Sequence, residues 1–195
     1  RFIKFYPPLN PIFVTMFYKI EVQEKSGIFD AVGEGVKRGI LDLNITCVRH
    51  VGFTQVYYVK GNITEEELER ICKGLLCDMV CQDYSINGSQ KESGRDKFVV
   101  EISYNPGVMD PVEESTLKAI ADLGIKGVKS VKTAKKYTIQ GNLSKAQLNT
   151  ICNKLLYNKL IQHIVKLNES SPDSLRAQEF KVINVDLLGA SDKRL

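Results

Sequence analysis

The sequence has no apolar segment long enough to cross a membrane, and this absence excludes a membrane-spanning protein. Its longest apolar stretch near the start, Ile12–Phe17, is far shorter than the roughly 18 residues that a span requires. Cysteine is also scarce, because five residues are too few, and odd in number, for the dense paired set of a small secreted scaffold. We therefore expect a reducing, cytoplasmic setting.

The chain has only a small excess of positive charge, because 27 lysines and arginines against 23 aspartates and glutamates give a net charge of +4. Such a small excess does not indicate a nucleic acid partner unless it is concentrated in one patch. The composition of 43% hydrophobic and 26% charged residues is typical of a globular chain that forms a core. Its 195 residues allow one medium domain or two small ones.

Sequence motifs for chemistry are missing too. The recurring glycines are isolated, so no Walker or GxGxxG loop is formed by Gly27, Gly61, Gly107 or Gly141. His50 and His163 have no acid or cysteine nearby in a catalytic pattern. We therefore expect no catalytic, cofactor-binding or metal-binding residue in this chain.

An internal repeat is the most informative feature that is present. Residues 17–86 align without a gap on residues 97–166, at a constant offset of 80. The identical pairs include Gly27/Gly107, Asp30/Asp110, Asp42/Asp122, Leu43/Leu123, Ile45/Ile125, Tyr57/Tyr137, Gly61/Gly141, Asn62/Asn142, Ile71/Ile151 and Cys72/Cys152. The chain is therefore predicted to contain two copies of one small unit.

The repeat predicts the domain organisation. We expect repeat 1 at 17–86, a polar linker rich in glycine and serine at 87–96, and repeat 2 at 97–167. An extension at 1–16, non-native or disordered, precedes them, because the first residues contain three prolines and Met16 is a natural start. A tail at 168–195 follows, and it reads as one strand and the start of a helix that lead toward an absent catalytic region.

Each repeat is predicted to begin with a strand, at Tyr18–Val22 or Phe98–Ile102, that ends at a glycine turn. A helix follows, with Asp30 or Asp110 as its N-cap, and in repeat 2 Glu113 is expected to close a capping box. Because capping explains both aspartates, they are not expected to form a catalytic pair. Asn44 and Gly124 occupy the left-handed C-cap position of these helices.

The middle of each repeat, Val48–Lys60 or Val128–Gln140, is β-branched and aromatic and predicts a hairpin or a bulged pair of strands. A second helix then begins at a capping box, headed by Thr64 or Ser144, and a short strand closes the unit, at Gln82–Ile86 or Ile161–Leu167. This βαββαβ order predicts an α+β fold of two ferredoxin-like repeats. We expect them to pack as a pseudo-two-fold pair, sheet on sheet with the helices outside.

Two clusters of side chains invite a functional interpretation. Cys72, Cys77 and Cys81 have the close spacing of a zinc site, but only Cys72 recurs in the other repeat, so we expect buried structural thiols. The densest basic stretch could meet an acidic surface or a phosphate, although lysines that protect a solvated strand edge are the favoured interpretation. Its members are Lys126, Lys129, Lys132, Lys135 and Lys136.

Repeat 2 contains several short motifs that resemble one known family. They are Gly107-Val108-Met109-Asp110-Pro111, Ala119-Ile120-Ala121-Asp122-Leu123-Gly124, Val128-Lys129-Ser130-Val131-Lys132 and Lys136-Tyr137-Thr138-Ile139. Together they resemble PurS, the small subunit of phosphoribosylformylglycinamidine (FGAM) synthase. Repeat 1 is similar more loosely, with Ala31 in place of the usual proline. The whole resembles the tandem PurS-like region at the amino terminus of single-chain forms of that enzyme.

This resemblance implies a non-catalytic part in purine biosynthesis, bridging the synthetase and glutaminase parts of the enzyme. ATP, magnesium and glutamine would be used by those parts and not by this chain. The expected partners are the synthetase domain and the glutaminase, with a pseudo-dimer inside the chain, a further homodimer left open, and neither nucleic acid nor membrane. The alternative is an ACT-like regulatory module that binds an amino acid, since its order is also βαββαβ and Pro106-Gly107 is similar to its turn.

Overall fold

The computed structural model describes residues 15–88 and 96–165. Repeat 1 contains β1 (Met16–Glu24), α1 (Ala31–Asp42), β2 (Val48–Gly61), α2 (Glu65–Ile71) and β3 (Gln82–Ile86). Repeat 2 contains β4 (Lys97–Tyr104), α3 (Pro111–Asp122), β5 (Val128–Gly141), α4 (Lys145–Ile151) and β6 (Gln162–Ile164). A π-helical turn extends α2 over Cys72–Leu76 and α4 over Cys152–Leu156. The predicted tail and nearly all of the predicted extension and linker lie outside the described residues.

The α+β class and the two repeats are confirmed, but the sheet-on-sheet packing is wrong. All six strands form one antiparallel sheet in the order β3-β1-β2-β5-β4-β6. The two repeats join where β2 pairs with β5 along almost its whole length. Edge-to-edge pairing satisfies the backbone groups of two long strands that would otherwise be exposed, which face-to-face stacking would not do.

The middle of each repeat, expected as a hairpin or a bulged pair of strands, is one continuous strand of 14 residues, β2 or β5, so no hairpin forms there. Gly52, where an interruption was expected, has ordinary strand pairing opposite Thr138. The length of β2 lets this strand pair with both repeats. β1 pairs with β2 only from Thr54 to Gly61, so the first half of β2 extends beyond β1 and lies beside repeat 2.

The register between the repeats is that of a pseudo-two-fold axis. Gln55 of β2 lies opposite Lys135 of β5, and these two residues are equivalent at the offset of 80. Residues on either side are paired symmetrically, as in Phe53 opposite Tyr137 and Tyr57 opposite Thr133. The predicted pseudo-dimer is therefore present within one sheet.

The hydrophobic core is exchanged between the repeats. One core joins α1 and the first half of β2 to α4, β4 and β5, so that Ile40 and Val51 pack with Ile139 and Ile151. The other core joins α3 and the start of β5 to α2, β1 and β2, through residues such as Ile120, Val131, Ile20 and Ile71. Each half of the molecule thus contains four strand segments and two helices, as in a ferredoxin-like fold. One helix and one strand segment of each half come from the other repeat.

Local capping signals in the sequence are mostly confirmed. Asp30 accepts a hydrogen bond from the Gly33 amide (2.7 Å), and Asp110 accepts one from the Val112 amide (2.9 Å). Thr64 and Ser144 head complete capping boxes, and the C-cap residues Asn44 and Gly124 have positive φ angles of 61° and 81°. The capping box expected at Asp110 is wrong, because the Glu113 carboxylate pairs with Lys132 instead (2.8 Å).

Glycines allow the two long strands to cross closely at both ends of their ladder. A Cβ atom on Gly141 would lie 2.3 Å from the carbonyl oxygen of Cys47, and one on Gly61 would lie 2.5 Å from that of Gly127. Neither distance is possible for a real side chain, and in each case the obstacle is backbone. Gly61 and Gly141 are therefore required for the contact between the repeats rather than for a phosphate loop.

None of the helices formed by residues 15–88 and 96–165 is both long and apolar enough to cross a membrane.

Candidate functional site

The two faces of the sheet differ in character. Along β1, Ile20 and Val22 point into the core beneath the helices, so Lys19 and Glu21 point to the opposite face, here called the open face. All four helices contribute buried residues to the two cores on the helix face. The open face is therefore where polar chemistry is concentrated.

A charge network spans the middle of the open face. Lys19 Nζ lies 3.0 Å from Glu21 Oε1 and 2.8 Å from Glu101 Oε2, and Lys136 Nζ lies 3.0 Å from Glu21 Oε2. Tyr58 donates a short hydrogen bond from its hydroxyl to Glu101 Oε1. Two lysines and two glutamates balance in formal charge, so the charge network is neutral as a whole.

Every arm of the charge network but one joins the two repeats. Lys19, Glu21 and Tyr58 belong to repeat 1, whereas Glu101 and Lys136 belong to repeat 2. Both glutamates are more than nine-tenths buried, as is Lys136. Because a buried charge is costly without a partner, the network favours this one alignment of β2 on β5.

The charge network also sets the ionisation of its members. Burial alone would lower the pKa of Lys19, but hydrogen bonds and charge from Glu101 and Glu21 outweigh it and hold that pKa above its ordinary 10.5. Burial, reinforced by the Glu101 charge, raises the pKa of Tyr58. The lysine stays charged and the tyrosine stays a hydrogen-bond donor throughout the neutral range.

Glu101→Gln is expected to lower the free energy of unfolding by about 2 kcal/mol, because hydrogen bonds to a charged group contribute about 1.5–3 kcal/mol. The change keeps the shape of the side chain and removes the charge that Lys19 and Tyr58 contact. Urea denaturation followed by circular dichroism measures the loss. Glu114→Gln, at an exposed glutamate in the first turn of α3, is the matched control and should change stability by only a few tenths of 1 kcal/mol. Equal effects of the two changes would contradict a stabilising network.

The basic stretch predicted to protect a strand edge does not lie at an edge, so that interpretation is wrong. β5 lies between β2 and β4 in the sheet. The lysines of β5 also have different partners. Lys132 pairs with Glu113, and Lys136 is buried beside Glu21. Lys129 donates a hydrogen bond to the Thr15 hydroxyl (3.2 Å). Lys126 and Lys135 are exposed. Alternation along a central strand therefore distributes the stretch over both faces of the sheet.

The cysteines lie where apolar packing was expected. Cys72 and Cys77 are buried in one core and Cys152 in the other, while Cys81 is half-buried. Burial raises the pKa of the Cys72 thiol to about 11, so it stays protonated at neutral pH. In the part of the chain that the structure describes, no three Cys, His, Asp or Glu side chains form a metal-binding group.

Both histidines lie on strands. His50 is exposed on β2, and His163 lies on β6 with its Nδ1 atom 3.1 Å from Asn105 Oδ1.

Two related grooves lie where β1 and β4 end. The groove of repeat 1 has a volume of about 400 Å³ and runs from the Gly27 turn onto the open face at Gly52. The groove of repeat 2, with about 230 Å³, is formed by the equivalent Gly107 turn and Lys132. Asp30 and Asp110 close the inner walls through hydrogen bonds to the Phe53 amide and the Thr133 hydroxyl.

Two equivalent apolar surfaces flank these grooves. In repeat 1 the exposed fractions are 70% for Phe29 and 85% for Val80, and in repeat 2 they are 74% for Met109 and 85% for Leu160. Val32 and Val112, which are equivalent at the offset of 80, are exposed as well. Since β1 and β4 run in opposite directions, the two surfaces, called the apolar end surfaces, lie at opposite ends of the sheet.

Sequence reasoning missed the charge network and the grooves. Glu21 and Glu101 are identical across the repeat and lie within strands, which is a detectable signal because charge is unusual in a buried strand. Their partners carried no such signal, since Lys19 corresponds to Val99 and Lys136 to Val56.

This architecture defines a class: an α+β protein whose two ferredoxin-like repeats share one sheet and exchange helices. The family model for PurS, described as phosphoribosylformylglycinamidine (FGAM) synthase, matches the chain twice, at residues 18–90 and 97–169. The chain therefore belongs to the PurS family, in tandem form. It is also 40% identical over 68 residues to the phosphoribosylformylglycinamidine synthase subunit PurS of Archaeoglobus fulgidus, a match that covers 32% of this chain and 85% of that relative. The resemblance stated from the sequence is confirmed.

Proposed function

We propose that this chain is a non-catalytic assembly part of FGAM synthase in purine biosynthesis, and that it bridges the synthetase and glutaminase parts. Membership of the PurS family and the name of the relative from Archaeoglobus fulgidus support a place in that enzyme. ATP, magnesium and glutamine are then used by the partner parts, and the complex is cytoplasmic.

The observation that carries the bridging role is the pair of apolar end surfaces. Each exposes the same three positions, represented by Phe29 in repeat 1 and Met109 in repeat 2. Exposed apolar positions that recur at both ends of a rigid sheet are suited to two separate protein contacts. Because the repeats share both cores, the distance between these contacts is fixed by the fold rather than by the linker.

Reconstitution with the synthetase and glutaminase parts of a PurS-dependent FGAM synthase tests this proposal. The full chain is expected to restore glutamine-dependent FGAM formation, and Phe29→Asp with Met109→Asp to reduce it at least tenfold while ammonia-dependent activity of the synthetase stays unchanged. Lys126→Asp, at an exposed residue outside the apolar end surfaces, is the control and should retain activity. Absence of rescue by the unmodified chain would overturn the proposal.

The ACT-like alternative stays a prediction. Calorimetric titration of the full chain with free amino acids tests it, and tight binding together with failed reconstitution would favour it.

A further inference from the structure

The two apolar end surfaces are built on equivalent loops, called the end loops, at 78–81 in repeat 1 and 158–161 in repeat 2. Val80 and Leu160 lie in these loops, and each is 85% exposed. Asp78 Oδ1 accepts a hydrogen bond from the Val80 amide (2.9 Å), and Asn158 Oδ1 accepts the equivalent one from the Leu160 amide (3.0 Å). Asp78 and Asn158 each donate their own amide to a glutamine side chain four residues further along the chain (3.1 and 3.0 Å).

A further contact holds each end loop against the end of the first strand of its repeat. Lys25 Nζ donates to the Met79 and Val80 carbonyl oxygens in repeat 1. Asn105 Nδ2 donates to the Leu160 carbonyl oxygen in repeat 2 (3.3 Å). Both end loops are thus held in place before any partner binds, which favours binding because less loop entropy has to be lost.

The charges around the end loop of repeat 1 are mostly acidic. Three carboxylates and one ammonium group lie there, those of Glu24, Asp78, Asp83 and Lys25. All four affect the buried Cys77 thiol: burial raises its pKa, the three carboxylates raise it further, and the ammonium group lowers it. The four charges therefore lie close together, and their balance is negative.

The equivalent side chains of repeat 2 include neither a carboxylate nor an ammonium group. They are Tyr104, Asn105, Asn158 and His163. Lys159, which is exposed, instead adds an ammonium group where repeat 1 has the exposed Met79. The end loop of repeat 2 therefore has a positive charge at a position where repeat 1 has an apolar side chain.

The structure of the loop does not require this difference in charge. Asp78 and Asn158 accept and donate the same hydrogen bonds, so the loop needs an oxygen acceptor and not a carboxylate. Glu113, on the neighbouring helix of repeat 2, is paired with Lys132 and adds no net charge. The two end loops share a conformation and differ in the charge around it.

An apolar centre with a polar rim is the usual composition of a protein interface. We propose that the two apolar end surfaces bind unlike partner surfaces: that of repeat 1 binds a surface bordered by lysine or arginine, and that of repeat 2 one bordered by carboxylates. Like charges at the wrong partner weaken binding, so the chain bridges its partners in one orientation. This inference rests on the proposed bridging function and adds the chemistry of each partner.

Exchange of residues between the end loops tests the inference, because each new residue already occupies the equivalent position in the other repeat. Asp78→Asn with Met79→Lys gives repeat 1 the loop charges of repeat 2, and Asn158→Asp with Lys159→Met does the reverse. In the reconstituted enzyme at low salt, each pair of changes should raise the concentration of chain for half-maximal glutamine-dependent activity about tenfold. In about 0.5 M NaCl the effect should fall below about twofold, because salt screens exposed charges.

Glu66→Ala is the matched control, since it also gives repeat 1 the residue of repeat 2, Ala146, at an exposed position near the opposite end of α2. It should leave the half-maximal concentration unchanged. If both exchanged chains were as effective as the unmodified chain at low salt, or if their effect were equally large at high salt, the inference would be overturned and the bridging function would stand. Failure of the unmodified chain to restore activity would overturn both.

Discussion

Repeat 1 alone, expressed as residues 15–88, is expected not to fold as a monomer. Its α1 helix and the first half of β2 bury Ile40, Val48 and Val51 in a core whose other half is repeat 2. Three such side chains contribute together about 5 kcal/mol or more, which approaches the whole stability of a small domain. The isolated repeat should therefore be unfolded, or should dimerise by pairing β2 with a second copy of β2.

Sedimentation equilibrium and circular dichroism of the isolated repeat measure this outcome over a range of concentrations. Secondary structure should be lost on dilution, since folding then depends on association. The matched control is the full chain cut by a site-specific protease within residues 89–95, where the two fragments should remain together as one folded complex. A folded, concentration-independent monomer of repeat 1 would show that the cores are not exchanged.

Gly141→Ala is expected to reduce stability by about 3 kcal/mol and the melting temperature by about 10 °C. The new methyl group would lie 2.3 Å from the Cys47 carbonyl oxygen, which is backbone and cannot move without disturbing the ladder between β2 and β5. Gly61→Ala should behave similarly at the other end of the same ladder, against the Gly127 carbonyl oxygen at 2.5 Å. Thermal unfolding of each variant gives the measurement.

Gly35→Ala provides a control with the opposite sign. Gly35 is exposed within α1, and a Cβ atom there meets nothing within 4 Å. Alanine should therefore stabilise the helix by about 0.5–1 kcal/mol, through lower entropy of the unfolded chain. If Gly141→Ala were as well tolerated as Gly35→Ala, the close approach of the two strands would not exist in solution.

Local signals predicted much of this fold. The caps at Asp30 and Thr64 depend on atoms within three residues of each other, so their pattern is readable along the chain. Repetition at an offset of 80 added the pseudo-two-fold relation, because equivalent sequences must take equivalent places.

Non-local contacts account for the errors. Whether Val48–Gly61 folds back on itself or continues depends on β5, 80 residues further along the chain, and its composition is the same in either case. The lysines of β5 were interpreted as edge residues for the same reason, since the order of strands is a property of the assembled sheet.

The candidate sites could not be predicted from the repeat, because the residues that form them differ between repeat 1 and repeat 2. The charge network pairs Lys19 with Glu101 across 82 positions, and Lys19 has valine as its equivalent in repeat 2. The groove of repeat 1 has Gly52 and Gly33 at the positions where repeat 2 has Lys132 and Glu113, and this difference gains meaning only once the ion pair between Lys132 and Glu113 is known.

The pairing of Gln55 with Lys135 on the pseudo-two-fold axis has a consequence for how such a chain can evolve. In a symmetric dimer of one repeat, the residue on the axis must face its own copy, and two Lys135 ammonium groups would repel each other. Within the tandem chain, Lys135 faces a neutral glutamine that donates to the Ala134 carbonyl (3.1 Å). In the tandem chain the two residues on the axis no longer have to be identical. Pairing of repeat 2 with another repeat 2 is disfavoured by the two Lys135 charges, so the sequence itself favours pairing of repeat 2 with repeat 1.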